Sequence, residues 1–318
     1  MMLRWALLAI SLGFMGACSG ALQEGVAKKS CDVQFMILGT SQDAGTPQIG
    51  HSEDSAWGSD SEKRLATSAA LVDQRNGDRY LFEATPDIRE QLKDLDKAFP
   101  ISNSDSLGLS NIFITHAHIG HYAGLMFLGR ESAGTRNVNV TVMPRLAKFL
   151  SANGPWNQLV SLGNIALNEN LIDGQAFELS RDISVTPLLV PHRDEYSETV
   201  GFIIRGPGQS VLFLPDIDDW ERWKTENGRD VAQIVSTVDA AFIDATFYDN
   251  HELPGRDMTK IPHPRVIDSM ELLKSEAEKV HFIHINHTNP LRKFDSQEVS
   301  ALQSLGFNLA YRGQKLCL

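Results

Sequence analysis

Short apolar runs recur along the chain, and polar segments containing Gly, Pro, Asn and Ser separate them. The runs rich in Val, Ile, Leu and Phe predict β-strands, at 33–40, 67–73, 80–84, 111–115, 138–143, 183–190, 200–204, 210–215, 240–245, 280–285 and 307–311. Segments with apolar residues three or four positions apart predict helices, at 86–98, 121–132, 144–152, 219–226, 265–276 and 296–305. Strands interleaved with helices, with no repeat or linker between them, predict a single α/β domain whose sheet is buried under helices.

Two long segments, 42–62 and 248–264, carry no apolar periodicity. Loops of this length usually cover a functional site or are disordered. Both segments could therefore rim a site or be irregular surface, and the two interpretations stay open. If they rim a site, their shapes decide which substrate enters it.

The first residues have the pattern of a targeting segment. Arg4 precedes an apolar run from Trp5 to Met15 that is too short to span a bilayer, and small residues lead on to Cys18. The pattern predicts a signal peptide over 1–17 and a tether over 18–30. The end of the run also resembles a bacterial lipoprotein signal, so we expect export to the periplasm, with a lipid on Cys18 as the only link to a membrane. The alternative is a buried N-terminal helix.

Composition and charge exclude several classes of protein. With 40 acidic and 29 basic residues the chain has a formal net charge of −11, so no nucleic-acid partner is expected. Three cysteines make neither a disulfide scaffold nor an all-cysteine zinc site. Cys31 precedes the first predicted strand and Cys317 follows the last. If those strands are neighbours the two thiols can pair in an oxidising compartment; the alternative is two separate thiols.

The strongest chemical signal is a group of three histidines, His116, His118 and His121, directly after the apolar strand predicted at 111–115. An extended backbone places His116 and His118 on the same side, and His121 can turn back toward them if a helix begins there. Neutral imidazole is a good ligand for zinc, iron or nickel. The spacing therefore indicates a metal site, whereas the alternative is a chance cluster of solvated histidines.

This His-x-His-x-x-His spacing after a strand resembles the signature of the metallo-β-lactamase-fold hydrolases. Segments similar to other motifs of that family stand at 33–39, 81–87, 191–192, 213–216 and 282–290, with Glu83 where an Asp is usual. The local sequence is most similar to coenzyme PQQ biosynthesis protein B and its relatives, at 39–45, 191–201 and 284–290. The resemblance implies an αββα four-layer sandwich over 31–318, with metal ions at one edge of two packed sheets.

The resemblance also implies a ligand set. One metal would be held by His116, His118 and His192, and a second by His121 and His284, with Asp216 bridging the two. A metal-activated water would attack the substrate, and Asp216, His116 and His118 would carry the catalysis. Zn²⁺ is the expected metal, and Fe²⁺ or Mn²⁺ would also suit these donors.

One departure from the family pattern lies inside the histidine motif, where Gly120 stands in place of the usual Asp. The missing carboxylate predicts one tight metal and a second that is weak or absent, unless another ligand is recruited. In falling order of preference the candidates are Asp194, His263, His251 and His287, and His287 alternatively caps a local turn. Gly120 could also allow a tight turn into the helix. Relatives often have a Cys cluster near residue 47; it is missing here, so no structural zinc is expected.

Three further residues are candidates for supporting roles. Asp244 ends a predicted strand and would either orient a ligating His or cap the strand. Arg193 and Tyr196 follow His192 closely and would contact an anionic or aromatic substrate, or else form ion pairs and pack below the site. His281 is at odd spacing from His284 and is expected to be structural.

Three functions remain open from the sequence. The leading hypothesis is an exported metal-dependent hydrolase that cleaves an ester, phosphodiester or lactam bond of a small molecule. The first alternative, from the resemblance, is a PQQ biosynthesis protein B-like non-haem iron oxygenase or a protein that handles PQQ. The second alternative is a non-catalytic lipoprotein that binds a metal or ligand. The sequence leaves the oligomeric state open.

Overall fold

The computed structural model describes residues 31–101 and 107–318, so the predicted signal peptide and tether, at 1–17 and 18–30, lie outside the described residues. The segment Cys31–Leu318 forms one compact unit. Within the described ranges, no helix is both long and apolar enough to cross a membrane.

Two mixed sheets form the centre of the unit, each with seven strands in the described part of the chain. The first has the strand order β14-β1-β2-β3-β4-β5-β6 and the second β13-β12-β11-β10-β9-β8-β7. In chain order, β1 to β14 are Val33–Gly39, Ser68–Asp73, Asp78–Phe82, Asn111–Phe113, Val138–Thr141, Ile165–Asn168, Phe177–Ser180, Ile183–Leu189, Val200–Arg205, Ser210–Leu214, Ala240–Asp244, Val280–Ile283, Asn308–Leu309 and Lys315–Cys317.

Strand alternation explains how the sheets are layered. Along β1, Phe35 and Ile37 face the other sheet, whereas Met36 and Leu38 face the opposite way and pack with helices. The ring of Phe35 lies 6.2 Å from the ring of Phe213 on β10, so aromatic side chains fill the space between the sheets. Both faces of the central strands are thus apolar, as expected for sheets covered on both sides.

Eight α-helices of the described residues form the outer layers. In chain order, α1 to α8 are Ile88–Ala98, Ile119–Tyr122, Pro144–Ala152, Trp156–Ser161, Trp220–Asn227, Val231–Ser236, Val266–Leu272 and Gln297–Ser304. Helices α1, α3 and α4 pack on the first sheet, and α5 to α8 pack on the second. The predicted αββα sandwich is therefore confirmed.

Several short elements were not predicted. Strands β6, β7 and β14 and helices α4 and α6 have too few residues to show a clear apolar period. The helix predicted over 121–132 is instead α2 followed by a 3₁₀ segment, Ala123–Leu128. A Cβ on Gly124 would lie 2.1 Å from the carbonyl oxygen of Thr85, so this segment is pressed against the backbone of another chain segment. That close contact explains why the chain tightens there.

The disulfide predicted between Cys31 and Cys317 is confirmed. The two residues are bonded, and their Cα atoms are 5.5 Å apart. They meet because β1 pairs with β14, with Gln34 opposite Cys317. The bond closes a loop over a sequence separation of 286 residues, so it joins both ends of the domain.

We expect the double variant Cys31→Ser/Cys317→Ser to be less stable by about 2–5 kcal/mol, because the bond restricts the unfolded chain. Urea unfolding of the oxidised protein and of the variant measures the difference. Reduced wild-type protein is the matched control and should unfold like the variant. Equal midpoints for the oxidised protein and the variant would contradict this prediction.

Candidate metal centre

The carboxyl ends of several strands meet at one edge of the sandwich. In the first sheet β1 and β3 both run antiparallel to β2, and β4 runs parallel to β3. In the second sheet β8 and β10 both run antiparallel to β9, and β11 and β12 run parallel to β10. The polar residues that end or follow these strands are Asp43, Glu83, His116, His118, His121, His192, Asp216, Asp244 and His284. Such an edge is where α/β sheets usually bind ligands.

The first group of donors consists of His116, His118 and His192, whose ligand nitrogens all lie within 4.8 Å of one another. Nε2 of His192 is 3.1 Å from Nδ1 of His118. The ring of His116 lies 4.4 Å from that of His118 and 5.0 Å from that of His192. Three imidazoles from two distant segments therefore converge, as the sequence predicted.

The second group consists of Asp43, His121, Asp216 and His284. Oδ2 of Asp216 is 2.9 Å from Nε2 of His121 and 3.3 Å from Nε2 of His284. Oδ1 of Asp43 is 3.2 Å from Nε2 of His121 and 3.5 Å from Nε2 of His284. Sequence reasoning had not singled out Asp43 as a site residue.

Asp216 connects the two groups. Its Oδ2 is 3.7 Å from Nε2 of His116, and its Oδ1 is 3.9 Å from Nε2 of His192. The residue follows β10 and is only 3% exposed. Its carboxylate therefore faces donors of both groups from a dry position between them.

A carboxylate lies behind each of two histidine rings, hydrogen-bonded to His192 and in a longer ion-pair contact with His121. Nδ1 of His192 lies 2.8 Å from Oδ1 of Asp218, and Nδ1 of His121 lies 3.5 Å from Oε1 of Glu83. A carboxylate at Nδ1 favours a proton on that nitrogen and leaves Nε2 as the free donor. These contacts therefore turn the Nε2 atoms toward the site.

Threonine hydroxyls hold two other rings. Nδ1 of His116 is 2.8 Å from Oγ1 of Thr115, and Nδ1 of His284 is 3.0 Å from Oγ1 of Thr246. In both cases Nε2 is again the nitrogen left for the site.

Several of the converging atoms have no hydrogen-bond partner among the described residues. Nε2 of His116, Nε2 of His284 and Oδ2 of Asp216 are all buried in this state. Although Nε2 of His121 is only 2.9 Å from Oδ2 of Asp216, the two are not aligned for a hydrogen bond. Buried polar atoms without partners are unfavourable and rare. Imidazole nitrogens and a carboxylate arranged in this way fit a divalent transition metal.

The family follows from a sequence comparison. The model of a family described as "Beta-lactamase superfamily domain" matches residues 78–285, which include all three histidines of the motif.

The chain belongs to the beta-lactamase superfamily.

Two curated proteins are similar to this chain over most of their length. Coenzyme PQQ synthesis protein B of Methylococcus capsulatus is 27% identical over 281 residues, which cover 80% of this chain and 89% of that protein. The protein of the same name from Methylorubrum extorquens, strain PA1, is 25% identical over 316 residues, which cover 90% of this chain and 100% of that protein.

Two solved structures share the fold. Zn²⁺-bound PqqB from Methylobacterium extorquens superposes with a TM-score of 0.73 and 22% identity, covering 90% of this chain and 100% of that one. A diphosphatase from the PhnP family has a TM-score of 0.62 and 23% identity, covering 90% and 98% of the two chains. These similarities establish the architecture, while function must be argued from the site.

Charge and burial act in opposite directions on the titrating groups of this superfamily member. Burial alone would lower the pKa of His121, but the carboxylates of Glu83, Asp216 and Asp43 outweigh it and raise the pKa well above its usual value. Burial would raise the pKa of Asp216, but the neighbouring histidines hold that pKa well below its usual range. The carboxylate is therefore ionised and ready to ligate a cation.

The first group has the opposite balance. Burial, together with the neighbouring imidazoles, lowers the pKa of His116 well below its usual value. Burial and the nearby His192 lower the pKa of His118 to about 4. These rings are neutral near pH 7, which is the form that binds metal.

Backbone strain is concentrated at the site. Glu83, His263 and His284 have φ values of 73°, 88° and 64°, and Asp43 has a φ of 22°. Residues other than Gly and Asn rarely occupy this region, and where they do the surrounding structure must hold them. Because all four residues lie at the site, their unfavourable backbone conformations place these side chains there and cost some local stability.

Asp244 holds His263 rather than one of the predicted ligands. Oδ2 of Asp244 is 2.7 Å from Nδ1 of His263, and it also accepts a hydrogen bond from the backbone N–H of Ile217. Nδ1 of His263 is in turn 3.6 Å from Oδ1 of Asp216. His263 therefore lies beside the second donor group and is oriented by a buried carboxylate.

The other residues proposed as a replacement ligand lie away from the two groups. Asp194 is exposed and pairs with Arg145 at 3.2 Å. The side chain of His251 is 92% exposed. His287 contacts the ring of His51, with ring centres 4.2 Å apart, and the side-chain oxygen of the adjacent asparagine.

Of the two residues predicted to contact substrate, Arg193 lines a cleft of about 710 Å³ together with His263, Asp218 and Lys260. Tyr196 is exposed and contacts Phe149, with ring centres 5.2 Å apart. Part of the loop 248–264 forms one wall of this cleft, and the loop reaches the donor groups through His263, whose Nδ1 is 3.6 Å from Oδ1 of Asp216.

Glu252 links this loop to the segment that follows His284, through hydrogen bonds whose strength depends on pH. Its carboxylate accepts hydrogen bonds from the backbone N–H of Tyr248 and the hydroxyl of Thr288. Burial raises the pKa of Glu252 to about 7, and these hydrogen bonds offset only part of that effect. At pH values between the lower pKa of this group in the unfolded chain and about 7, the folded protein keeps a proton on Glu252 that the unfolded chain has lost.

A raised pKa means that stability present at low pH is lost as the pH rises toward 7. Because glutamine stays neutral, Glu252→Gln should be more stable than wild type by about 1–3 kcal/mol at pH 8, with little difference at pH 4.5. Thermal unfolding of both proteins across this pH range measures the gap. A gap that does not change with pH would contradict the prediction.

Proposed function

We propose that the protein is an exported metal-dependent hydrolase that acts on an ester, phosphodiester or lactam bond of a small molecule. The observation that carries the proposal is the convergence of unpartnered, buried Nε2 atoms of His116 and His284 on the unpartnered Oδ2 of Asp216. Proteins rarely bury such atoms together without a cation between them.

The residues of the chain would each have a defined task. A bound divalent metal supplies a water whose pKa is lowered toward neutrality. Asp218 and Glu83 keep the rings of His192 and His121 in orientation. His263 lines the cleft with its Nδ1 held by Asp244, and it is well placed to give a proton to the leaving group.

The cleft supports a small anionic substrate. Arg193 is exposed on its wall, close enough to His118 to contribute to lowering the pKa of that ring. The exposed ring of Tyr196, three positions after Arg193 in the chain, offers an aromatic face. The overall acidic charge of the chain argues against a nucleic-acid substrate.

We propose zinc as the metal. Nitrogen donors predominate and one carboxylate lies between the groups, a set that suits Zn²⁺, while Fe²⁺ and Mn²⁺ remain compatible with it. The zinc in the similar PqqB structure supports the same choice.

Export is supported by the disulfide and by the apolar N-terminal pattern. Structural disulfides persist in oxidising compartments such as the periplasm and are rare in the cytosol. If Cys18 is the lipidated residue, it leaves Cys31 and Cys317 as the remaining pair.

A second candidate function is supported by the curated relatives, which are named for coenzyme PQQ synthesis. By that similarity the protein would act as an iron-dependent oxygenase or handle PQQ itself. The same nitrogen and carboxylate donors suit Fe²⁺, so ligand type does not separate the two candidates.

Two assays decide between these candidates. Protein loaded with Zn²⁺ is tested under nitrogen against generic esters, phosphodiesters and lactams. Protein loaded with Fe²⁺ is tested in the presence of oxygen for oxygen consumption. Hydrolysis that is lost in His118→Ala supports the proposal. Oxygen consumption without hydrolysis supports the oxygenase, and activity in neither assay leaves a metal- or ligand-binding protein.

A further inference from the structure

A second metal in the proposed hydrolase would lack a carboxylate at position 120, where the sequence has Gly. The structure places another carboxylate in the same neighbourhood. A Cβ built on Gly120 would lie 2.5 Å from Cα, 2.6 Å from Cβ and 2.9 Å from Cγ of Asp43. Distances this short do not occur between real atoms, so Asp43 fills the volume that any side chain at position 120 would need.

The side chain of Asp43 also lies close to two ring nitrogens of the second donor group. Its Oδ1 is 3.2 Å from Nε2 of His121 and 3.5 Å from Nε2 of His284. Together with Asp216 these residues form one group of potential ligands. His284 Nε2 and Asp216 Oδ2 are buried there without hydrogen-bond partners among the described residues.

The loop that carries Asp43 is anchored to the segment that carries His284. The backbone N–H of Gln42 donates to the carbonyl of Ile285 at 2.9 Å, and the N–H of Ile285 donates to the carbonyl of Thr40 at 2.9 Å. The hydroxyl of Ser41 also donates to the carbonyl of Ile285. Three bonds from residues 40–42 thus hold the chain that leads directly into Asp43 next to the last histidine.

We propose that Asp43 is a metal ligand that replaces, from a different loop, the carboxylate missing at position 120. Gly120 is then a requirement of the replacement, because only a residue without a side chain leaves room for Asp43. The second site has two histidines, the shared Asp216 and a carboxylate of its own, so it binds its metal firmly. This inference rests on the metal-dependent function proposed above.

The test is a Zn²⁺ titration of metal-free protein by calorimetry, with elemental analysis after dialysis. Wild type should bind two equivalents. Asp43→Asn, which keeps the size of the side chain, should bind one equivalent as wild type does and the second at least about 100-fold more weakly. Asp60→Asn is the matched control, since Asp60 is an exposed Asp paired with Lys63, and it should behave like wild type.

A transposed variant, in which the carboxylate is moved from position 43 to position 120, tests whether the two positions are interchangeable. Gly120→Asp alone should disturb the site through the clash with Asp43, whereas Asp43→Gly/Gly120→Asp should recover the second equivalent. Two unchanged binding events in Asp43→Asn overturn the inference, as does a folded transposed variant that stays at one equivalent. Both of these results leave the hydrolase proposal standing, whereas wild-type protein that takes up no Zn²⁺ overturns both.

Discussion

Replacing Asp216 by Asn is expected to abolish hydrolysis, with a fall in kcat/KM of at least about 10³-fold, within the range measured when essential catalytic groups are removed. Its carboxylate approaches donors of both groups, at 2.9 Å from Nε2 of His121 and 3.9 Å from Nε2 of His192. An amide retains the shape but loses the negative charge that balances a cation. Both metal positions should therefore weaken together.

A second variant, with a smaller expected loss of activity, serves as the control. Asp218 contacts Nδ1 of His192 with one carboxylate oxygen and Arg222 with the other, so it acts on the metal through His192 alone. Asp218→Asn should therefore cost about 10–100-fold in activity or metal affinity. Steady-state kinetics and metal analysis of both variants test the ranking. An Asp216→Asn protein with normal folding, full metal content and wild-type activity would contradict the assigned role.

Removing the metal from wild-type protein should have the second large effect. Cation binding to the folded state alone stabilises it by about 4 kcal/mol when the free metal is 1,000 times Kd. For a domain of this size that corresponds to a rise in Tm of about 7 °C. Metal-free protein should lose this increment and all hydrolysis, and Zn²⁺ added back should restore both.

The physical reason is the density of unpaired groups at the site. Without a cation, Nε2 of His116, Nε2 of His284 and Oδ2 of Asp216 stay buried without hydrogen-bond partners among the described residues, and the carboxylates of Asp43 and Asp216 both face Nε2 of His121. The control is Mg²⁺ at the same concentration, which prefers oxygen ligands and should not restore Tm. A chelated protein with the same Tm and activity as the untreated protein would show that the cluster does not depend on metal.

The fold could be predicted from the sequence because its signals are local. Apolar strands such as β1 and β10 are long enough to show both their period and their burial, and the histidine motif follows a strand directly. The residues predicted to converge, from His116 to His284, do lie together. The short edge strands β7 and β14 were missed because three or four residues, partly exposed, carry no clear pattern.

The parts of the site that escaped prediction depend on contacts between distant segments. Asp43 stands in a polar loop and is 78 positions from His121, so only the folded chain shows that it occupies the space beside Gly120. The pairing of His263 with Asp244 arises in the same way, since His263 comes from a loop without periodicity. In both cases local sequence gave the chemistry of the residue but not its partner.

The most direct measurement is anomalous X-ray scattering from crystals of the protein loaded with Zn²⁺, recorded on both sides of the zinc edge. The account predicts one peak among His116, His118 and His192, and another among Asp43, His121, Asp216 and His284. Anomalous density at neither group, with zinc bound elsewhere or not at all, would contradict it.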